Sequence, residues 1–220
     1  MNFLSHYLLA KEHDQSPLFL VGSILPDLAK RAGFSTPKVL FKNESNQDVQ
    51  LLNGVKFHLK TDKYFHNDSL FKQGIQFWKT DLDEKNIGLS KSFFLHHLLF
   101  EMWLDQILLF ANPGSANEMY FTLESADFKL LKKFLSDFYL DRNDKIIKVF
   151  DGFINRKFVL SYLNPFDFTH IASGVFSHTT NQTIPEHLPE ILLKKLDSMK
   201  INEAHFLALW ENFKTEFLKP

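Results

Sequence analysis

With 220 residues, 45% of them hydrophobic and 23% charged, the chain is long enough to bury a sizeable core and too apolar to be disordered. A formal net charge of −1 gives no global attraction to nucleic acid or to an anionic membrane surface. The absence of cysteine excludes disulfides, thiolate metal sites and cysteine nucleophiles.

Helical periodicity dominates along the chain, and strand-like alternation is weak. Helices are expected over residues 2–13, 22–32, 46–62 or beyond, 68–80, 90–110, 115–139, 141–160, 166–180, 186–199 and 202–218. Breaks fall where turn residues collect, at "AGFSTPK", "ANPGSAN", "LNPFD" and "NQTIPEHLPE". None is long enough for an interdomain linker, and there is no repeat of fixed period. The expectation is a single all-α domain over 1–220, with 185–220 as a C-terminal helical hairpin packed on it.

The N-terminal "MNFLSHYLLAKEHD" has no basic leader and no small-residue cleavage pattern, so no signal peptide is expected, and the lack of cysteine suits a cytoplasmic setting. The most apolar run, "SFFLHHLLFEMWLDQILLFA", approaches membrane-spanning length but carries His96, His97, Glu101 and Asp105. It is read as a buried helix with a polar stripe rather than as a membrane insertion. The 25 phenylalanines read as core filling.

Two segments carry chemistry. "NGVKFHLKTDKYFHND" places His58, Asp62 and His66 at successive spacings of four, which on a helix stacks them along one stripe. "HHLLFEMWLD" repeats the geometry with His97, Glu101 and Asp105 inside an apolar helix. Carboxylates one turn apart in a buried setting repel each other, and a cation between them resolves the repulsion. His6 and Asp27 are further ligand candidates, with a core histidine and a helix cap as their structural alternatives. The interleaved Lys56, Lys60 and Lys63 also allow the first stripe to be a solvated helix face. Nitrogen and oxygen ligands without sulfur suit manganese, iron, zinc or magnesium, and phosphoester hydrolysis is a reaction such sites commonly serve. The chain has no glycine-rich phosphate loop, no nucleophile elbow and no His-Glu-x-x-His signature.

In order and approximate spacing, "MNFLSH", "VGSILPDL", "NGVKFHLKTD" and "EMWLDQILL" resemble the motifs of the acyl-carrier-protein phosphodiesterase family, and "SYLNPFDFTHIASGVFSH" resembles its later segment. The resemblance implies an HD-domain-like all-α fold and a manganese-dependent hydrolase that releases 4'-phosphopantetheine from holo-acyl carrier protein. It matches His6, Asp27, His58, Asp62 and Asp105 to motif positions, with Glu101 replacing an aspartate. Leu59 and His178 stand where the family carries arginines. A second likeness joins "FLVGSILPDL" to zinc-dependent phospholipase C-like proteins, and a non-catalytic helical protein on the same scaffold is the alternative from another class.

The expected roles follow. His6, Asp27, His58, Asp62, His97 and Asp105 hold the metal, with His66 behind them; Asp62 or Glu101 accepts the water proton; Lys60, Lys63 and His178 meet the anionic substrate. Acyl carrier protein is the expected partner, with neither nucleic acid nor membrane insertion.

Overall fold

The computed structural model describes residues 1–34, 46–80, 82, 91–139 and 143–219, with eleven α-helices and no strand among them. The helices are α1 (Phe3–His13), α2 (Pro17–Arg31), α3 (Asn46–Phe65), α4 (Ser69–Lys79), α5 (Ser92–Ala111), α6 (Ser115–Glu124), α7 (Phe128–Tyr139), α8 (Asn143–Arg156), α9 (Pro165–Thr180), α10 (Leu188–Met199) and α11 (Glu203–Phe217). Short 3-10 segments span Phe158–Leu163 and Lys200–Asn202. The protein is therefore all-α. The expected helix starts at 90 and 141, and residues 35–38 of the "AGFSTPK" break, lie outside the described residues.

Three boundaries differ from the sequence expectation, each for a local reason. α2 starts at Pro17, five residues before Gly22, because proline at the first helical position is pre-set in φ and gives up no needed N–H. The expected helix over 115–139 is two helices. Asp127 Oδ1 accepts from the Lys129 and Leu130 N–H groups at 2.9 and 3.1 Å, which caps a new helix rather than continuing the old one. α8 ends at Arg156 because Lys157 takes a left-handed conformation, φ 45°, and the chain re-enters as the 3-10 segment.

The chain gathers into two compact units. One comprises Met1, Tyr64–Asn112 and Val159–Pro220, called here the α5 unit; the other, the α2 unit, comprises Asn2–Lys63 and Pro113–Phe158. In the α5 unit, α5 packs against α4, α9 and α11, and α10 packs on α9. Phenylalanine fills its interior: Phe65 meets Phe213 edge-on, with ring centroids 5.6 Å apart, and Phe206 meets Trp103 at 5.0 Å. The two C-terminal helices each find their own partner, α10 on α9 and α11 on α4 and α5. α5 is long and apolar enough to cross a membrane, yet 67% of its most apolar window is buried inside the structure, so its apolar surface is used in packing.

In the α2 unit, α1 packs on α2 and α6, and α8 packs on α2, α6 and α7. The α2–α3 crossing is set by two glycines. A Cβ at Gly22 would run into the Leu51 carbonyl and stand 3.1 Å from Gly54 Cα; a Cβ at Gly54 would run into the Phe19 carbonyl and stand 2.9 Å from Gly22 Cα. The obstacles are backbone on both sides, so no rotamer change relieves them. Gly54→Ala should cost about 3 kcal/mol or more, above the usual range for a single overpacking methyl. Urea unfolding of the two proteins at equal m-value would show it, and a loss below about 1 kcal/mol would mean that the helices part without strain.

Candidate metal centre

His6 from α1, Asp27 from α2, and His58 and Asp62 from α3 meet in the α2 unit. Asp27 lies in the interior of α2, so it is no helix cap. Pro26, just before it, has no N–H to give the Gly22 carbonyl, the usual disturbance of proline inside a helix. The next carbonyl, that of Ser23, accepts a hydrogen bond from His58 Nδ1–H at 2.7 Å. His58 is one helical turn beyond Gly54, and Ser23 directly follows Gly22, so the glycine contact delivers this bond.

A carbonyl only accepts, and His58 Nδ1 must therefore carry the proton. That leaves Nε2 to face Asp27 Oδ1 at 3.9 Å and Asp62 Oδ2 at 3.7 Å. A proton on Nε2 would draw a carboxylate oxygen to about 2.8 Å. The wider gap matches the roughly 3–4 Å that separates two ligands on a cation with bonds of about 2.1 Å. His6 Nε2 sits 3.0 Å from Asp62 Oδ1 and 4.0 Å from Asp27 Oδ2, and its ring stacks on that of His58 with centroids 3.8 Å apart. Liganding atoms of His6, Asp27 and His58 lie within 4.8 Å of one another. Hydrogen bonding of the far imidazole nitrogen to a carbonyl is the usual way a protein aims a metal-binding histidine.

The same environment keeps His6 neutral. Burial, and then the neighbouring His58, lower its pKa from 6.5 to about 3, against the pull of Asp62. Its Nδ1 is buried with no hydrogen-bond partner.

A cleft of about 430 Å³ opens over this group, lined by Asp27, Lys30, Phe34, His58, Leu59 and Asp62 among others. Among the described residues that line it, Lys30 is the cation. Lys60 and Lys63, expected from the sequence to meet the substrate, stand exposed on α3 and are not part of its lining, and His178 is exposed near the end of α9 in the α5 unit. Lys30 was legible in principle: it follows Asp27 by three residues and so shares its face of α2. Leu59, which is 41% exposed, occupies the rim where the resemblance would place an arginine.

Of the second stripe, His97 and Glu101 gather with His66 in the α5 unit, where His97 Nε2 lies 2.8 Å and His66 Nε2 3.4 Å from Glu101 Oε1. His66 is in the turn after α3, which ends at Phe65, so it leaves the stripe that the spacing of four suggests. The Met1 ammonium also donates to Glu101 Oε1, at 2.7 Å. Burial would raise the Glu101 pKa, but the ammonium, His97 and His66 outweigh it and hold the carboxyl well below its usual range. Asp105 is fully buried one turn further along α5 and belongs to neither group of liganding atoms.

No protein-family model, curated protein or solved structure matches this chain. What stands is an all-α protein with, among the described residues, two His/carboxylate groups that could each hold a metal ion.

Two outcomes follow for the α2 unit. His58→Ala and Asp27→Ala should each weaken manganese binding at this centre at least tenfold by titration calorimetry, while circular dichroism shows the helices intact. For the chelated protein the sign of the pH effect comes from His6. The unfolded chain takes up a proton near pH 6.5 that the folded chain refuses until about pH 3, so stability falls as pH drops below 6.5. His6→Asn removes that proton, and its melting temperature should decline less than that of the wild type between pH 7.5 and 5.

Proposed function

We propose that this chain is a divalent-metal-dependent phosphodiester hydrolase, with His6, Asp27 and His58 as the metal-holding residues. The observation that carries the reading is His58: its Nδ1–H is spent on the Ser23 carbonyl, and its Nε2 faces two carboxylates at distances suited to a shared cation. A divalent ion bound there polarises a phosphoryl oxygen and lowers the pKa of a bound water toward neutrality.

The chain's own residues supply the rest. Asp62, whose Oδ1 lies 3.0 Å from His6 Nε2, presents its carboxylate to the cleft, where it accepts the proton of the attacking water. Lys30 neutralises non-bridging phosphate oxygens as a point charge, in the role the resemblance gives to arginine at position 59. Leu59 and Phe34 offer apolar wall to the organic arm of the ester. The resemblance makes the phosphopantetheinyl serine of holo-acyl carrier protein, in the cytoplasm, the first substrate to try. It also gives manganese as the first metal and an HD-domain-like arrangement as the accompanying fold reading.

The test incubates the protein with manganese and holo-acyl carrier protein and weighs the carrier by intact mass spectrometry, with a chromogenic phosphodiester alongside. Loss of the phosphopantetheine mass is expected. Asp62→Asn should lower kcat about 10²-fold or more, and Lys30→Ala should raise KM about tenfold with little change in kcat. An intact carrier with a cleaved chromogenic ester rejects the carrier substrate alone. Both remaining intact rejects the hydrolase reading and favours a non-catalytic helical protein.

A further inference from the structure

We propose that His66, His97 and Glu101 form a second divalent-cation site, carried by the α5 unit and made of a different ligand set from the His6–Asp27–His58 centre. Three nitrogen donors crowd one oxygen atom. Glu101 Oε1 faces His97 Nε2 at 2.8 Å, His66 Nε2 at 3.4 Å and the Met1 ammonium at 2.7 Å. One carboxylate oxygen offers two lone pairs, so three donors cannot all be accommodated with good geometry. Both imidazoles would also have to place their single proton on Nε2. A cation at the point of convergence removes both difficulties, because each Nε2 then contributes a lone pair and the carboxylate contributes charge.

The surroundings are those of a built site. His97 and Glu101 share a face of α5 at i and i+4, and His66 is set by the tight turn between α3 and α4, where Asp68 caps α4 by accepting from the Leu70 N–H at 2.7 Å. Phe71 lies against both imidazoles, at 4.8 Å from His66 and 4.9 Å from His97. That apolar ring restrains both ligands and lowers the local dielectric, which strengthens their pull on a cation. The His66, His97 and Glu101 side chains remain 35%, 26% and 16% exposed, enough for water to fill further coordination positions.

Two imidazole nitrogens and one carboxylate oxygen suit a first-row transition ion such as zinc, cobalt, iron(II) or manganese, and disfavour calcium and magnesium, which prefer all-oxygen sets. The Met1 ammonium holds the same oxygen, so a divalent ion must exchange with it or bind through the other carboxylate oxygen.

The full chain, stripped with a chelator and titrated with cobalt(II), tests this by visible absorption and by metal content after desalting. Two equivalents per chain are expected. Glu101→Gln, and separately a His66→Leu/His97→Leu double variant, should each fall to one equivalent. His58→Ala should likewise retain one, with the absorption band of the remaining site. Folding of every variant is checked by circular dichroism, and Glu101→Gln, close to isosteric, guards against a collapse caused by leucine. Unchanged metal content in both α5-unit variants, or loss of all metal in His58→Ala, would overturn the proposal; a single equivalent in the wild type that Glu101→Gln loses and His58→Ala keeps would instead overturn the α2-unit centre.

Discussion

The contact of α2 with α3 is made by two residues without side chains. Gly22 and Gly54 let the backbones of α2 and α3 touch, and the neighbouring chemistry depends on that proximity. One residue beyond Gly22 is the carbonyl that orients His58; one turn beyond Gly54 is His58 itself. Asp27 and Asp62 follow on the same helices, so a shift of an ångström at the crossing would be felt at every liganding atom. The electrostatic problem then has only a few solutions. Two carboxylates and two stacked imidazoles share a volume in which His6 is fully buried. Burial and the second imidazole keep protons away from His6, so the histidines cannot all serve as counter-ions to the acids. A bound cation is the economical remedy, and the cleft above gives it an approach.

The two groups solve the buried-carboxylate problem differently. In the α2 unit the acids face imidazoles across gaps of 3.7 to 4.0 Å for three of the four pairs, and one histidine is aimed by the main chain. In the α5 unit a single acid draws three nitrogen donors close around one oxygen. The first is an open arrangement with a cleft; the second is a knot under an aromatic ring. Their different exposure and chemistry give little reason to expect the same ion or the same affinity in both.

Much of this was legible in the sequence. The all-α class follows from periodicity, and His6, Asp27, His58 and Asp62 could be singled out from spacing and from apolar context. The sequence could not say that His97 and Glu101 gather with His66, because a spacing of four fixes a direction only while the helix lasts, and α3 ends one residue too soon. Lys60 and Lys63 flank the motif in sequence, whereas the lysine among the described residues that line the cleft comes from α2. The split of 115–139 turned on Asp127, whose carboxylate competes with the helix for the N–H groups that follow it, a local contest that apolar periodicity does not register.

Pro26 gives the α2 unit a property that side-chain comparison would miss. The group that aims His58 is the Ser23 carbonyl, whereas the Ser23 hydroxyl is turned back to the Leu20 carbonyl at 2.7 Å. The instruction to the imidazole is therefore written in main chain rather than in the side chain at position 23. Sensitivity moves to places that bear no reactive group at all: the proline that disturbs the helix and the glycines that hold the carbonyl in reach. A drifting lineage could keep every histidine and aspartate of the site and still lose its alignment by gaining one methyl group.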